Sequence, residues 1–372
     1  MPAYNYARFI PAAIESILAQ DYPADAIEII VVDDGSTDGT EAALAPYRDR
    51  LTLVRQANLG LRGAVNTGLE RASGEYIALL DADDTWLPHK LRDQVDRLEA
   101  RPGAGLVYSD MQEIDEAGAL EPRTYFERLG IRPGRGRMYG ELLRKNYIGP
   151  ATLLVRASLR HTFAPIAPEA PWPDWYIALQ VAAVADLEVS DRPVCQYRHH
   201  GSNMVRGVRG ERWASFMVDN LHFRRWLLRR GHPAWVAAAD VLAAHAELER
   251  SLAFLIQERD LDVREVIAVE AADAEAAGSL LAEYEGHLRR GATSEAFATA
   301  ARALACDPFN RAAREATLAS FSLLDRAPGD ADADLAVLAA WAWGDGAPTP
   351  TEPSAPSSQP AAATTSPHPP SA

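Results

Sequence analysis

Asp81 and Asp83, with Asp84 beside them, close the apolar run "YIALL". In extended backbone, residues two apart point to the same side, so Asp81 and Asp83 can face one ligand. Carboxylate oxygens are hard donors that suit Mg²⁺ or Mn²⁺, and such an ion would neutralise a diphosphate. Taken alone, Asp-x-Asp is a weak signal and reads better as a solvated turn, with Asp84 capping a helix that begins near Thr85. A second acidic pair, Asp33 and Asp34, closes another apolar run, Ile27 to Val32. Gly35-Ser36-Thr37 then turns into a helix N-terminus, which sets a carboxylate beside free backbone N–H groups able to read a sugar or base. Asp38, ahead of Gly39 and Thr40, reads as an N-cap. Two acidic strand ends in one sheet are hard to explain by capping alone.

The elements that must carry these residues alternate. Phe9, Ile10, Ala13, Ile14, Ile17 and Leu18 recur at helical spacing, and "IEIIVVDD" is a β-branched run suited to a strand buried on both faces. "LTLVRQ" reads as a strand, "AVNTGLERA" as a short helix and "GEYIALLDADD" as a further strand with an acidic end. Strand and helix alternate from Ala7 to Leu98, which predicts a doubly wound α/β layer with ligands beyond the carboxyl ends of the strands. Beyond it, "VYSDMQEIDEAG" reads as a hairpin arm and "GPATLLVRASL" as a strand. "PDWYIALQVAAVA" reads as a helix and "LEVSDRPVCQYRHH" as a strand. From Glu211 alanine-rich helical segments run to Trp343, and residues 284–320 resemble a single tetratricopeptide-like helix pair. One such unit cannot stack into a solenoid. The Pro/Ala/Ser/Thr-rich stretch 344–372 reads as disordered.

Composition narrows the classes. The 372 residues carry a net charge of −15, with Lys90 and Lys145 the only lysines, which argues against nucleic-acid or anionic-membrane binding by bulk charge. The cluster Arg224, Arg225, Arg229 and Arg230 reads as a solvated helix face. Cys195 and Cys306 stand alone, without metal-like spacing, as in a reducing compartment. No transmembrane run or leader pattern is legible, so the expectation is a soluble cytoplasmic protein, with peripheral membrane contact left open. Single histidines such as His89, His161, His222, His232 and His245 read as structural or exposed.

In order along the chain, "PAYNYARFIPAAIESILAQDYP", "IEIIVVDDGSTDGT", "NLGLRGAVNTGLERASGEYIALLDADD" and "PHKLRDQVDRL" resemble the motifs of family 2 inverting glycosyltransferases. The likeness continues through "VYSDMQEIDEAG", "TLLVRASL", "PDWYIAL" and "YRHHGSN", covering residues 1–205. It implies a GT-A fold, a Rossmann-like mixed sheet flanked by helices, with an α-helical C-terminal extension. The implied organisation is a domain over 1–205, with a nucleotide-sugar half (1–110) and an acceptor half (111–205). An extension over 206–343 would follow. The resemblance also implies roles. Pro2, Tyr4 and Asn5 lie in the loop that closes over the base, and Asp34, supported by Asp33, reads the base. Asn58, Arg62 and Gly63 lie near ribose and phosphates, and Asp81 near the ribose. Asp83 and His200 hold the metal, Mg²⁺ or Mn²⁺, and Arg198 faces the leaving group. Asp174 is the general base. Pro173 departs from the acidic residue the family usually shows before that base, and Glu169 is the reserve candidate. Trp172 and Trp175, with Tyr176, flank it as acceptor platform or as core.

The implied reaction moves a sugar from a nucleotide-diphospho-sugar to a glycan, lipid-linked or protein acceptor by single displacement, as in cell-surface polysaccharide or glycoconjugate assembly. "FRRWLL" only echoes the Gln-x-x-Arg-Trp signature of processive synthases. A nucleotidyltransferase would need a glycine-rich loop where "PAYNYARF" stands. A catalytically impaired binding module acting through the helical part is the remaining alternative. The opening "MPAYN" reads as the end of a strand, with the expectation that further strand residues precede Met1.

Overall fold

The computed structural model describes residues 1–201, 203, 211–259, 271–324 and 332–343. The stretch 344–372 and Ser202 of "YRHHGSN" lie outside the described residues. The first layer alternates as the apolar pattern demands: β1 (Pro2–Ala3), α1 (Ile10–Leu18), β2 (Ile30–Asp33), α2 (Thr40–Leu44), β3 (Thr52–Arg55), α3 (Gly60–Arg71) and β4 (Tyr76–Ala78). Helix α1 buries Ile10, Ala13, Ile14 and Ile17, the residues one helical face must share at this spacing. Strands β1, β2 and β3 form a parallel sheet in that order, with Pro2 opposite Val32 and Ile30 opposite Thr52. Their carboxyl ends therefore open on one side, where Asp33 and Asp34 stand.

The next elements are β5 (Thr85–Trp86), α4 (Lys90–Ala100), β6 (Ala104–Tyr108), β7 (Gln112–Ile114), α5 (Tyr125–Leu129) and α6 (Tyr139–Arg144). They are followed by β8 (Leu154–Arg156), α7 (Arg160–Phe163), α8 (Pro173–Ala182), β9 (Asp186–Val189) and β10 (Cys195–Arg198). A mixed sheet runs β4-β8-β6-β9, and a small one runs β5-β10-β7. No helix begins at Thr85. Pro88 disfavours helical backbone just before it, and Thr85–Trp86 pairs with β10 instead. Asp84 therefore caps nothing; its Oδ1 accepts the N–H of Arg198 at 2.9 Å. "LEVSDRPVCQYRHH" is likewise two strands in different sheets, separated around Pro193. That break lets β10 carry Arg198 and His200 to the acidic triplet. A cavity of about 370 Å³, lined by apolar side chains such as Ile29, Val65, Leu69, Ile77 and Leu80, separates β2 from β4.

The helical segment begins with α9 (Glu211–Arg229) and α10 (Ala238–Arg259), followed by helices Ala271–Arg289, Thr293–Cys306, Arg311–Ser322 and Asp332–Trp343. It shares a core with the β sheets. Tyr108, Trp175, Ile177, Phe223, Leu242 and Phe297 belong to one continuous buried cluster. Arg224, Arg225 and Arg229 of α9 are not the solvated face the sequence suggested, whereas Arg230, just past the helix end, is exposed. Arg225 is 5% exposed and ion-paired to Asp273 at 2.7 Å, and Arg229 bonds the same carboxylate. Arg224 lies over the Trp175 ring and Arg230 over Trp226. Helix α9 is covered on two sides, so positions that look polar in the sequence meet a buried acid or an aromatic face. No helix among the described residues is long and apolar enough to cross a membrane.

Candidate active site

At the carboxyl end of β2 the chain builds a rigid turn from its own polar groups. Asp33 Oδ1 accepts the N–H of Ser36 at 2.9 Å while its Oδ2 faces Arg55 at 3.5 Å. Gly35 takes φ +78°, and a Cβ there would stand 3.0 Å from the Asn58 nitrogen, so the turn requires glycine. Asn5 also has positive φ, and its Oδ1 accepts the N–H of Thr37 at 2.8 Å, which ties "PAYN" across the turn. Tyr4 beside it is exposed, whereas Asp34 is buried. Asp34 Oδ1 accepts Gln56 Nε2 at 2.7 Å and the Leu59 N–H at 2.9 Å. Asn58 Oδ1 accepts the Gly60 N–H at 3.1 Å at the start of α3. Arg62 and Gly63 follow on its first turn. A Cβ on Gly63 would come within 2.4 Å of the Leu59 Cβ. Asn5, Asp33, Asp34 and Asn58 thus meet around the turn that follows β2, with Pro2 in the adjacent strand and Arg62 and Gly63 on the helix beyond it.

The acidic triplet follows β4 in the chain. Asp81, Asp83 and Asp84 each present a ligand oxygen within 4.8 Å of the others. Strand β10 and the residues just past it bring Arg198 and His200 against them. Arg198 Nε donates to the Asp83 carbonyl at 3.1 Å, and His200 Nε2 lies 2.9 Å from Asp83 Oδ2. Phe9 stacks on the His200 ring at 4.7 Å, and Arg198 lies over the same Phe9. Tyr6 hydrogen-bonds Asp83, and burial followed by the Asp83 charge raises its phenol well above the ordinary value. Burial, then the charges of Asp83 and Asp174, push the Asp81 carboxyl up to about 8. Asp84 is raised well above the usual range by burial and then by the charges of Asp83 and Asp81. Crowded hard oxygen donors with this excess of negative charge fit a divalent cation, which would relieve their repulsion.

Asp174 stands on the first turn of α8, where Pro173 fits a position whose N–H has no helical partner. Burial pushes its carboxyl up to about 6, against the opposing pull of hydrogen bonds from backbone N–H groups and Asn146. Asn146 Nδ2 donates to Asp174 Oδ2 at 2.9 Å. Trp175 is core: its Nε1 donates to the Leu142 carbonyl at 2.7 Å. Trp172 is half-buried, with its ring 4.9 Å from that of Phe216 on α9. Glu169 is exposed, outside this polar network. A half-buried carboxylate with its pKa near neutrality, close to an acidic cluster that fits a cation, is equipped to take a proton while negative charge leaves elsewhere.

Residues 1–163 match the family described as Glycosyl transferase family 2. This part of the chain is a family 2 glycosyltransferase domain. An uncharacterized glycosyltransferase of Nostoc sp. is 28% identical to this glycosyltransferase over 286 residues, covering 71% of this chain and 83% of that one. An uncharacterized protein of Mycobacterium tuberculosis is 28% identical over 258 residues, covering 66% and 69%. Among solved structures, S. aureus TarS 1–349 in complex with UDP-GlcNAc superposes with a TM-score of 0.53 at 17% identity, over 84% of this chain and 89% of that one. That likeness supports the GT-A fold.

The structure also places beside the candidate site residues groups that the sequence did not single out. Asn146, Gln56, Tyr6 and Phe9 touch candidate site residues directly. Tyr6 and Phe9 lie within the "PAYNYARF" motif, but which of its side chains turn inward is set by α1. Asn146 sits in "RKNYIG", a stretch with no motif, and only the α6–α8 packing brings it to Asp174.

Proposed function

We propose that this glycosyltransferase transfers a sugar from a nucleotide-diphospho-sugar to a hydroxyl of a glycan, lipid-linked or protein acceptor, with inversion at the anomeric carbon. The observation that carries the reading is the placement of Asp174. It is a half-buried carboxylate held by Asn146, with its proton affinity raised to about 6, and its charge is felt at Asp81 of the acidic triplet. Asp174 accepts the proton of the acceptor hydroxyl as that oxygen attacks the anomeric carbon. The bond from that carbon to the diphosphate oxygen breaks on the opposite face, its electron pair leaving with the nucleoside diphosphate. Asp81, Asp83 and Asp84, with His200, would hold Mg²⁺ or Mn²⁺, which when bound neutralises charge on the departing diphosphate. Arg198 adds a fixed positive charge on the same side. Asp34, backed by Asp33, hydrogen-bonds the base, with Pro2, Tyr4 and Asn5 closing over it and Asn58, Arg62 and Gly63 lining the ribose and phosphate edge. Trp172 offers an aromatic face to the acceptor.

In this reading residues 1–205 are the catalytic domain and 206–343 a helical extension, and the enzyme works in assembly of a cell-surface polysaccharide or glycoconjugate. TarS, bound to UDP-GlcNAc, makes UDP-sugars the first donors to try. The test is a panel of UDP-, GDP- and dTDP-sugars with Mn²⁺ or Mg²⁺, read as nucleoside diphosphate release, with product anomers assigned by NMR. Metal-dependent turnover of one donor and an inverted product are expected. Retention at the anomeric centre, or undiminished turnover in EDTA, overturns the mechanism.

A further inference from the structure

We propose that helix α9 braces the candidate base: Arg224 clips together the two stretches of chain that carry Asp174 and Asn146, and Asn146 aims the Asp174 carboxylate at the acceptor. The inference rests on Asp174 as the base and adds two positioning residues, one of them outside the family-matched region.

Asn146 has no rotational freedom left. Its Oδ1 accepts the Ile148 N–H at 3.0 Å, so its NH₂ group must face the other way. That group donates to the Ile148 carbonyl at 3.2 Å and to Asp174 Oδ2 at 2.9 Å. Both amide hydrogens and the amide oxygen are thereby used. The carboxylate oxygen they fix cannot swing, which leaves Asp174 one orientation toward an incoming hydroxyl.

The two partners come from different elements, so something must hold those elements in register. Trp175, the residue after Asp174, donates its Nε1 to Leu142 of α6 at 2.7 Å. Arg224 then closes the joint from outside. Its guanidinium lies 5.1 Å over the Trp175 ring, and its Nη1 donates to the carbonyl of Arg144. Arg144 ends α6, two residues before Asn146. A helix C-terminus leaves carbonyls without partners, and a cation there satisfies one and opposes the negative end of the dipole. Phe223 meets the same Trp175 edge-on at 5.1 Å. One side chain of α9 therefore grips the residue beside the base and the segment that carries the base's hydrogen-bond donor.

The test uses the full chain and the donor found active in the panel. Variants Arg224→Met, Asn146→Ala and their combination are compared with Asp174→Asn. Arg230→Met is the control, since Arg230, just past the end of α9, lies over the Trp226 ring. A displacement of about 1 Å at a reacting group costs up to about a hundredfold. Arg224→Met is therefore expected to lower kcat by about tenfold, and Asn146→Ala by somewhat more, with donor KM unchanged. Because both act through one carboxylate, the double variant falls no further than Asn146→Ala alone. Binding of UDP or GDP with Mn²⁺, measured by calorimetry, stays at the wild-type level in each. If Arg224→Met does not fold, Arg224→Gln, which keeps a donor for the Arg144 carbonyl, carries the test with a smaller expected kcat loss. Multiplicative losses in the double variant, a loss carried by donor KM, or an equal kcat loss in Arg230→Met overturns the brace. Wild-type kcat in Asp174→Asn overturns the base assignment itself, whereas an inactive Asp174→Asn beside a fully active Arg224→Met overturns only the brace.

Discussion

The β-sheet region and the helical segment bury carboxylates under opposite rules. Around β5 and β10, Asp81, Asp83 and Asp84 share a small volume, with Asp174 near enough for its charge to reach Asp81. In the helical segment Asp273 is clasped by Arg225 at 2.7 Å and by Arg229, and Glu249 faces Arg314 at 2.8 Å. Even there the cost of burial shows: Glu249 is pushed up to about 7 despite its partner. Paired charges serve the fold, since breaking a pair strands its partner away from water. Crowded like charges work against folding. They persist because β5, β10 and α8 are fixed by their own packing, and they leave the site ready for a cation and a proton.

The comparison breaks first at Asp174. If the crowded carboxylates are the working ones, Asp174→Asn lowers kcat by about 10²–10⁴-fold with nucleotide affinity unchanged. With the carboxyl at about 6, the wild-type kcat/KM rises with pH through that value as the base loses its proton. Single-turnover rates from pH 5 to about 8 check both. The next largest effect belongs to the paired side. Asp273→Ala strands Arg225 in the interior and is expected to cost about 3 kcal/mol in urea unfolding. A cost below about 1 kcal/mol marks that pair as surface-like instead.

Asp81 sharpens the contrast, because its substitution should move stability and activity in opposite directions. Its carboxyl is raised from 3.8 to about 8, so it holds its proton more tightly folded than unfolded. That contribution is complete below about pH 4 and is lost as pH climbs through about 8. Asp81→Asn removes the loss, so the metal-free protein melts about 2 °C or more higher at pH 8 while turnover falls. An unchanged melting point with lost turnover would show that the crowding carries no strain. Smallest of all, Gly68→Ala probes ordinary packing. Gly68 lies inside α3, and a Cβ there meets Val32 at 3.7 Å, beside the cavity between β2 and β4. A gain of about 0.5–1 kcal/mol is expected from helix propensity, with kcat unaffected.

The sequence made the alternation of the first layer legible, because each element obeys a local rule. "IIVV" has no polar residue to expose, and Ile10, Ala13, Ile14 and Ile17 can share a face only in a helix. The same logic misplaced a helix start at Thr85, where strand pairing outweighed a local cap. It also read Arg224, Arg225 and Arg229 as solvated, since a charge carries no local sign that a distant acid or indole will cover it. Lys90 makes the point most sharply. It is fully buried, bonded to Gln94 at 2.6 Å and set over Trp86, with its ammonium brought down by burial to about 7. Nothing in "PHKLRD" distinguishes it from a surface lysine.

By itself, the sequence determined the chemistry on offer: acidic strand ends at Asp33–Asp34 and Asp81–Asp84, an aspartate at a helix start, and a histidine motif after a late strand. These follow from residue type and short spacing, which the backbone reads within a few residues. Only the tertiary structure decided which of these groups meet. It set His200 against Asp83, Asn146 against Asp174 and Arg224 across both carriers of that pair, contacts that span from 28 to 117 residues of chain. Such contacts depend on how whole elements pack, because burial strengthens a charge interaction only after distant segments have together excluded the water between them.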